Sequence, residues 1–453
     1  MITSLRLKNF KPWRELPKIR LAPITGFFGT NSSGKTSLLQ LLLMLKQTTE
    51  SPDRNQVLNL GDERSPVSLG SFPDVLHGRE RSRRLEWELS WNLPEPYSVE
   101  DPRKPGVPLL SGHELEFGCD IGLDENDRVV VHQLWYVFGG QEFRMRMKDG
   151  GGYELLPTAK RPKSFAFKRS VGKPWDLPAP FKCYGFPDQV KAYYQNAGFL
   201  SDFALHLKEL TDRLHYLGPL RDYPHREYLW TGAEPADMGQ RGENVVNAIL
   251  VSGKLQRKIG IGRGRRTFEG YVANRLKELG LVNEFTVREI APNMNLYRVH
   301  VRKTEKATQV SIADIGFGVS QILPVVVLCY YAPEGSTVIL EQPEIHLHPS
   351  VQSGLADVFI DAVKKRKVQI IVESHSEHLL RRLQRRIAEG RLTKDETALY
   401  FCEMSDGESQ IRELELDLLG NITNWPDSFF GDEFGETAEM TRAQQRRKKA
   451  GRG

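Results

Sequence analysis

Apolar residues change their spacing several times along the chain, and each change predicts a different kind of element. Ile24 to Phe28 is a short apolar run entering a Gly/Ser-rich loop, as a buried strand would. After that loop, Leu38, Leu39, Leu41, Leu42, Met44 and Leu45 cover most of a helix's circumference, the signature of a core helix. From about Val67 to Phe138 a period of two takes over, clearest in LEWELSWNL and VVVHQLWYVF, and predicts strands. The Pro- and Gly-rich stretches Pro94 to Pro108 and Lys148 to Pro180 predict long surface loops or an inserted lobe. Helical spacing returns over Asp188 to Leu214 and again over Phe268 to Leu281, followed by strands around Phe285 to Val301. From Ile312 onward, helices alternate with apolar β-branched strands, the pattern of a parallel α/β sheet. There is no internal repeat or heptad run, so no long coiled-coil arm is expected.

Composition narrows the class. The 453 residues suffice for a full α/β core and an inserted subdomain. With 39% hydrophobic and 27% charged residues the balance is that of a water-soluble globular chain. The longest apolar runs, such as Ile322 to Tyr331, are shorter than the roughly 18–20 residues of a bilayer span, so no membrane partner is expected. The opening MITSLRLKNF reads as a first strand rather than a signal peptide. Cys119, Cys183, Cys329 and Cys402 form no CxxC pair and read as reduced packing residues, which points to a cytoplasmic location. The net charge of +5 is unevenly spread. Lys254, Arg257, Lys258, Arg263, Arg265 and Arg266 form one cluster; Arg442, Arg446, Arg447, Lys448, Lys449 and Arg452 form a tail. Either can meet nucleic-acid phosphates, with a solvated loop and a disordered end as the alternatives.

Four short motifs carry chemistry. Gly29-Thr-Asn31-Ser32-Ser33-Gly34-Lys35-Thr36, followed by Ser37, fits GxxxxGK[ST] between an apolar strand and a strong helix. Such a loop points backbone N–H groups at a polyphosphate; Lys35 would reach the β- and γ-phosphates and the Thr36 hydroxyl would ligate Mg²⁺. ATP and Mg²⁺ are the expected cofactors. Thr337-Val-Ile-Leu-Glu341-Gln342-Pro-Glu344 puts Glu341 at a strand's C-terminal edge, as the acid linked to the metal. Asp314-Ile-Gly316-Phe-Gly318-Val-Ser320-Gln321 is a glycine-rich turn feeding an apolar helix, so its amides can face an anion. Val368-Gln-Ile-Ile-Val-Glu373-Ser374-His375-Ser376 is a buried strand ending in a histidine, one crossover unit after the acidic strand, which suits a γ-phosphate contact.

These motifs, in this order, resemble the ATPase heads of the ABC superfamily. The likeness is closest to the branch of RecF, SMC proteins and the OLD-type (overcoming lysogenization defect) ATPases. Glu341-Gln-Pro-Glu-Ile-His-Leu-His348-Pro349 resembles that branch's acidic motif and its dimer-crossing D-loop. Within the branch, the opening LxNFKPW…LAPITxxxGxNSSGKTSLLQ, the middle Tyr216-Leu-Gly-Pro-Leu-Arg221 with Gly239-Gln-Arg-Gly-Glu243, and the ending Asn424-Trp-Pro-Asp-Ser-Phe-Phe430 are similar to bacterial predicted AAA-type ATPases with a C-terminal domain of unknown function.

The resemblance implies an α/β, ABC-type P-loop head: a mixed sheet flanked by helices, with an antiparallel β lobe and an inserted subdomain. The expected divisions are 1–95 (P-loop and β lobe), 96–215 (inserted lobe), 216–410 (signature, acidic strand and switch histidine), 411–435 (C-terminal family segment) and 436–453 (a disordered basic tail). Two subunits would close head to tail around ATP, as a homodimer or higher homo-oligomer, with Gly316 to Gln321 acting in trans and His375 as the switch histidine. His348 stands where the D-loop aspartate usually is. Gly316 occupies the usual signature-serine position, which passes that work to Ser320 or to backbone amides. Gln342 occupies the catalytic-glutamate position. A Gln orients a water but cannot take its proton, so hydrolysis is slow or Glu344 is the base.

The leading expectation is an ATP-driven switch in a DNA-related process, antiphage defence or DNA repair, with a separate effector such as a nuclease and DNA as a candidate ligand. An ATP-sensing scaffold with little turnover is the alternative. A transporter subunit is disfavoured by the absence of LSGGQ. A self-contained nuclease is disfavoured because too few residues follow His375 for a Toprim domain, and Asp395, Glu396, Glu403, Asp406 and Glu408 are scattered.

Overall fold

A computed structural model describes residues 1–101, 104–158, 165–170, 172, 176–260, 264–426, 440–442 and 444. The first region comprises β1 (Ile2–Phe10), β2 (Trp13–Arg20), β3 (Ile24–Gly29), α1 (Lys35–Glu50) and the single turn α2 (Phe72–Val75). Five strands follow: β4 (Leu85–Asp101), β5 (Lys104–Leu123), β6 (Val129–Phe138), β7 (Gln141–Met147) and β8 (Tyr153–Thr158). Next come α3 (Gln189–Tyr193), α4 (Leu200–Asp212), β9 (Leu214–Leu217), β10 (Tyr228–Leu229), α5 (Val245–Lys254), β11 (Lys258–Ile259), β12 (Arg266–Thr267) and α6 (Phe268–Glu278). The remainder is β13 (Glu284–Glu289), β14 (Leu296–Arg302), β15 (Val310–Ser311), α7 (Phe317–Tyr331), β16 (Thr337–Glu341), α8 (Pro349–Arg366), β17 (Gln369–Glu373), α9 (Glu377–Ala388), β18 (Thr397–Ser405) and β19 (Glu408–Glu413).

The central sheet has the order β19-β18-β3-β17-β16-β9, parallel except for the edge strand β19. Its inner strands are buried on both faces, so TVIL and QIIV read as continuous apolar runs rather than alternating ones. The alternation survives as a division of labour. Ile339 and Ile371 enter one core cluster with α1 and α4, while Val338, Leu340, Ile370 and Val372 enter the other with α7, α8 and α9. A seven-stranded antiparallel sheet, β2-β1-β4-β5-β6-β7-β8, lies in the first cluster, and a small sheet of β10, β13, β14 and β15 packs in the second. The mixed α/β class expected from the sequence is thus the observed one.

Several local expectations change. The loops foreseen over Pro94 to Pro108 are largely the long β4–β5 hairpin. Its register shifts between Asn92 and Tyr97 and again between Val99 and Asp101, and such irregularities accommodate residues that cannot donate to the ladder. The strand pattern begins at Leu85 rather than Val67; before it, Ser71 and Asp74 form a reciprocal cap on α2. The helix over Asp188 to Leu214 breaks at Tyr194, whose backbone is extended, into α3 and α4. The expected boundaries at 95/96 and 215/216 fall inside β4 and β9. Arg263, most of Asp427 to Phe430 and the tail, and parts of Lys148 to Pro180 lie outside the described residues. Among the described residues, all four cysteines are free and buried, and no helix is long and apolar enough to cross a membrane.

Candidate functional site

β3 delivers the chain to Gly29, where φ is 134° and an added Cβ would lie 1.9 Å from the Cys402 carbonyl oxygen on β18. Only glycine fits that approach. Ser32 (φ 60°) and Gly34 (φ 84°) complete the bend. The Trp13 indole pins the bend by donating to the Gly34 carbonyl at 3.0 Å. Asn31 and Ser32 are exposed at the tip, whereas Ser33, Lys35 and Ser37 are buried. Lys35 Nζ donates to the Thr30 carbonyl (2.6 Å), the Gly29 carbonyl (3.2 Å) and Ser33 Oγ (3.3 Å). Burial pushes the ammonium pKa down, with Glu373, Cys402 and Glu344 acting in the opposite sense. α1 begins with no side-chain cap and no acid in its first turn, so no side chain competes with an anion for its leading amides, of which that of Ser37 donates to the Gly34 carbonyl at 3.1 Å.

The acids are arranged differently from the expectation. Thr36 Oγ1 donates to Glu373 Oε1 at 3.0 Å, while Glu341 Oε2 accepts from the Tyr216 hydroxyl at 2.8 Å. The reason is strand order: β17 lies between β3 and β16, so Glu373 is one strand nearer the P-loop than Glu341. The two glutamates are register partners across β16 and β17. Burial, then the Glu341 charge, raises the Glu373 pKa to about 7, against the hydrogen bond from Thr36 and the charge of Lys35. Burial likewise raises Glu341, opposed by Tyr216 and Arg221.

Gln342 has φ 43° and donates its amide to the Glu373 carbonyl at 2.9 Å, which folds the chain back over β17. Glu344 is 7% exposed; its Oε1 accepts from Ser374 Oγ (2.9 Å) and the His375 amide (2.6 Å), and its Oε2 is buried without a partner among the described residues. Burial raises its pKa. Glu344 Oε1 therefore laces the turn after β16 to the turn after β17. His375 is an exposed residue whose ring is partly enclosed beside Gly29; that enclosure and then Lys35 lower its pKa, against a hydrogen bond with the Gly29 backbone. His348 Nδ1 accepts from the Ser350 amide at 3.3 Å and caps α8, with Pro349 at the first helical position.

The glycine turn opens α7 at Gly316, and Gly316, Phe317 and Gly318 stay at least partly accessible. Phe317 stands edge-on to Tyr223 and His346, at 5.7 Å from each ring. A cavity of about 520 Å³ separates this helix start from Leu279–Leu281 and His346–Val351. Ser320 corrects an expectation: its hydroxyl donates back to the Phe317 carbonyl at 2.8 Å and is buried, because that helical phase faces the core. Gln321 is buried as well, so the outward donors are the amides of the first turn. Among the described residues, no hydrogen bond or ion pair joins Gly316–Gln321 to the P-loop.

Glu373, Tyr216 and Arg221 belong to the site but were not singled out as functional from the sequence. Glu373 had a signal: QIIVE ends in a carboxylate as TVILE does. In the basic cluster, Arg257 pairs with Glu234 and stacks over Tyr331, and Lys254 sits over Trp230 at 4.1 Å. Of the scattered C-terminal acids, Glu396 closes a cap with Thr393, and Glu403 and Glu408 face Arg412 and Arg14.

Residues 1–68 and 264–380 match the AAA ATPase domain family, and residues 392–440 match a family described as protein of unknown function (DUF3696). The first match spans the P-loop, the glycine turn, the acidic strand and His375, so the chain carries a P-loop ATPase domain. No curated protein matches the sequence. Similar solved structures include an SMC head bound to the C-winged helix domain of ScpA (12% identity, 92% of this chain and 98% of that chain, TM-score 0.45). Others are the SMC head domain from Thermotoga maritima (12%, 91% and 99%, 0.40) and an SMC head with an extended coiled coil bound to the C-terminal domain of ScpA, derived from Pyrococcus furiosus (11%, 92% and 96%, 0.45).

Proposed function

We propose that this chain is an ATP-binding and ATP-hydrolysing switch whose subunits close around nucleotide to drive a DNA-related process, antiphage defence or DNA repair, through a separate effector such as a nuclease. The observation that carries the nucleotide reading is one cluster: a buried Lys35 on the P-loop, Thr36 bonded to Glu373, and Glu341 beside it. The donor set fits magnesium, since Thr36 offers a hydroxyl and Glu373 Oε2 is a buried carboxylate oxygen without a partner among the described residues. Thr36 and Glu373, with Glu341 one strand further, would hold the ion with the nucleotide, where it neutralises phosphate charge. The accessible first turn of α7 and the exposed Phe317 supply a surface for the opposing subunit's nucleotide. Closure follows if ATP binds the closed pair more tightly than the open one. The direct test is sedimentation with saturating ATP: the chain should dimerise and Lys35→Ala should not. A wild-type monomer under those conditions rejects the switch.

A scaffold that senses ATP with little turnover has its own support. Gln342 follows Glu341, and one Glu344 oxygen is tied to Ser374 and His375 while the other is buried, so neither residue presents an exposed carboxylate to a water. Phosphate release with and without DNA separates the readings: turnover raised by DNA favours the switch, and ATP binding without turnover in either case favours the scaffold.

A further inference from the structure

Beyond β9 the chain turns through Gly218, Pro219 and Leu220 and buries Arg221, which is 7% exposed. The turn is clamped on both sides: the Gly218 amide donates to the Gln240 carbonyl at 2.8 Å and the Asp222 amide to the Arg241 carbonyl at 2.9 Å. Arg221 is therefore held in place rather than draped over the surface. Among the described residues, its guanidinium makes one hydrogen bond, from Nη2 to the Glu341 carbonyl at a long 3.4 Å, and Nε and Nη1 are buried without partners. A guanidinium brings five N–H donors, and dry unpaired donors are costly to keep. Burial lowers its pKa to about 10, against the pull of Tyr216, Glu341 and Glu344, so it is still a cation at neutral pH. Glu344 also interacts electrostatically with Lys35, so this one carboxylate is shared by two buried cations.

We infer that Arg221 is a second cation of the nucleotide site, whose free Nε and Nη1 donate to the terminal phosphate of bound ATP. This rests on the ATPase reading above and adds to it which residue carries the charge. In hydrolysis the water oxygen bonds to the terminal phosphorus. The bond from that phosphorus to the bridging oxygen breaks, its electron pair leaves with ADP, and the water proton ends on the released phosphate. With Gln342 unable to accept that proton, stabilisation of charge on the phosphoryl oxygens takes a larger share of the work, and a planar guanidinium fixed in advance suits it. ADP lacks the group that Arg221 would hold.

The test compares full-length wild type, Arg221→Ala and Arg221→Lys in Mg²⁺, measuring affinity for ADP and for ATP together with kcat and KM. Arg221→Ala should keep ADP affinity, lose the preference for ATP over ADP, and lower kcat by on the order of 100-fold. Arg221→Lys should fall between, because an ammonium keeps charge but not the fork. Unchanged kcat and ATP preference in folded Arg221→Ala overturn the inference. Should that variant not fold, Arg221→Lys decides, and a wild-type kcat and ATP preference in it overturn the inference equally. If wild type does not turn over, the loss of ATP preference alone is the readout. A wild type that binds no ATP removes the parent reading instead.

Discussion

β17 begins and ends on a buried polar side chain, and the two are treated in opposite ways. At its start, Gln369 is fully buried and every strong valence is used. Its Oε1 accepts from the Ile2 amide and Thr337 Oγ1, both at 3.0 Å; its Nε2 donates to the carbonyls of Ile2 (2.7 Å) and Ala22 (3.1 Å). This amide fastens the central sheet to the antiparallel one. At the other end, Glu373 is 2% exposed with one oxygen bonded to Thr36 and, among the described residues, the other unpaired; Glu344 nearby and Arg221 beside Glu341 also leave atoms unpaired. Buried polar groups in folded chains are normally satisfied. One end of the strand obeys that rule and serves stability; the other departs from it where a nucleotide and metal would complete the set.

The largest effect expected from this contrast is at the satisfied end. Gln369→Leu would strip this partner from the Ile2 amide, the Ile2 carbonyl and Thr337 in a dry interior, while the Ala22 carbonyl keeps Thr25 Oγ1 at 3.2 Å. At about 1–3 kcal/mol for each buried group left unmade, the loss should exceed about 3 kcal/mol. Denaturant unfolding measures it, and a loss below about 1 kcal/mol would mean that water or relaxation replaces the amide and the contrast is weaker than drawn.

The unsatisfied end should show the reverse sign. A carboxylate whose pKa rises from an ordinary 4.5 to about 7 on folding binds its proton more tightly in the native state. Its contribution is therefore greatest below pH 4.5 and is lost as pH rises through 7. For nucleotide-free protein this loss is on the order of 3 kcal/mol at most, from 1.36 kcal/mol per pKa unit. Glu373→Gln removes the titration, so the apo variant should be flatter in Tm between pH 5 and 8 and more stable than wild type at pH 8. It should also bind Mg²⁺-nucleotide more weakly. Equal pH profiles for the two proteins would show that Glu373 is not the strained group.

How much of this was legible in sequence depends on how local each feature is. The P-loop is a consecutive strand, loop and helix, so Gly29, Lys35 and Thr36 could be read with their context. Glu373 could be read only as a strand end, because its meeting with Thr36 depends on β17 inserting between β3 and β16, an order that no local pattern encodes. Ser320 failed through helical phase: the residue type suited a phosphate contact, but three residues into α7 it faces the core. At Pro94 to Pro108 the surface-loop alternative gave way through turn chemistry, since prolines marked as loop formers sit within a hairpin whose register shifts tolerate them. Arg221 was visible as a residue but not as an unpaired one, because pairing is a property of the packed interior.

The smallest effect sharpens the contrast inside the site itself. His348 stands where the resemblance expects an aspartate, yet its imidazole performs a cap by accepting from the Ser350 amide at the start of α8. A cap of this kind contributes about 0.5–2 kcal/mol. His348→Ala should therefore lower stability by roughly 1 kcal/mol. His348→Asp should recover it, since a carboxylate is a stronger cap and favours the helix N-terminus electrostatically. The informative comparison is ATP-dependent dimerisation in the same two variants. If the residue only caps α8, Ala weakens stability and Asp restores it while dimerisation stays level in both. If His348 also meets the opposing subunit, dimerisation shifts in His348→Asp despite the repaired cap, and the unsatisfied end of the sheet extends across the subunit boundary.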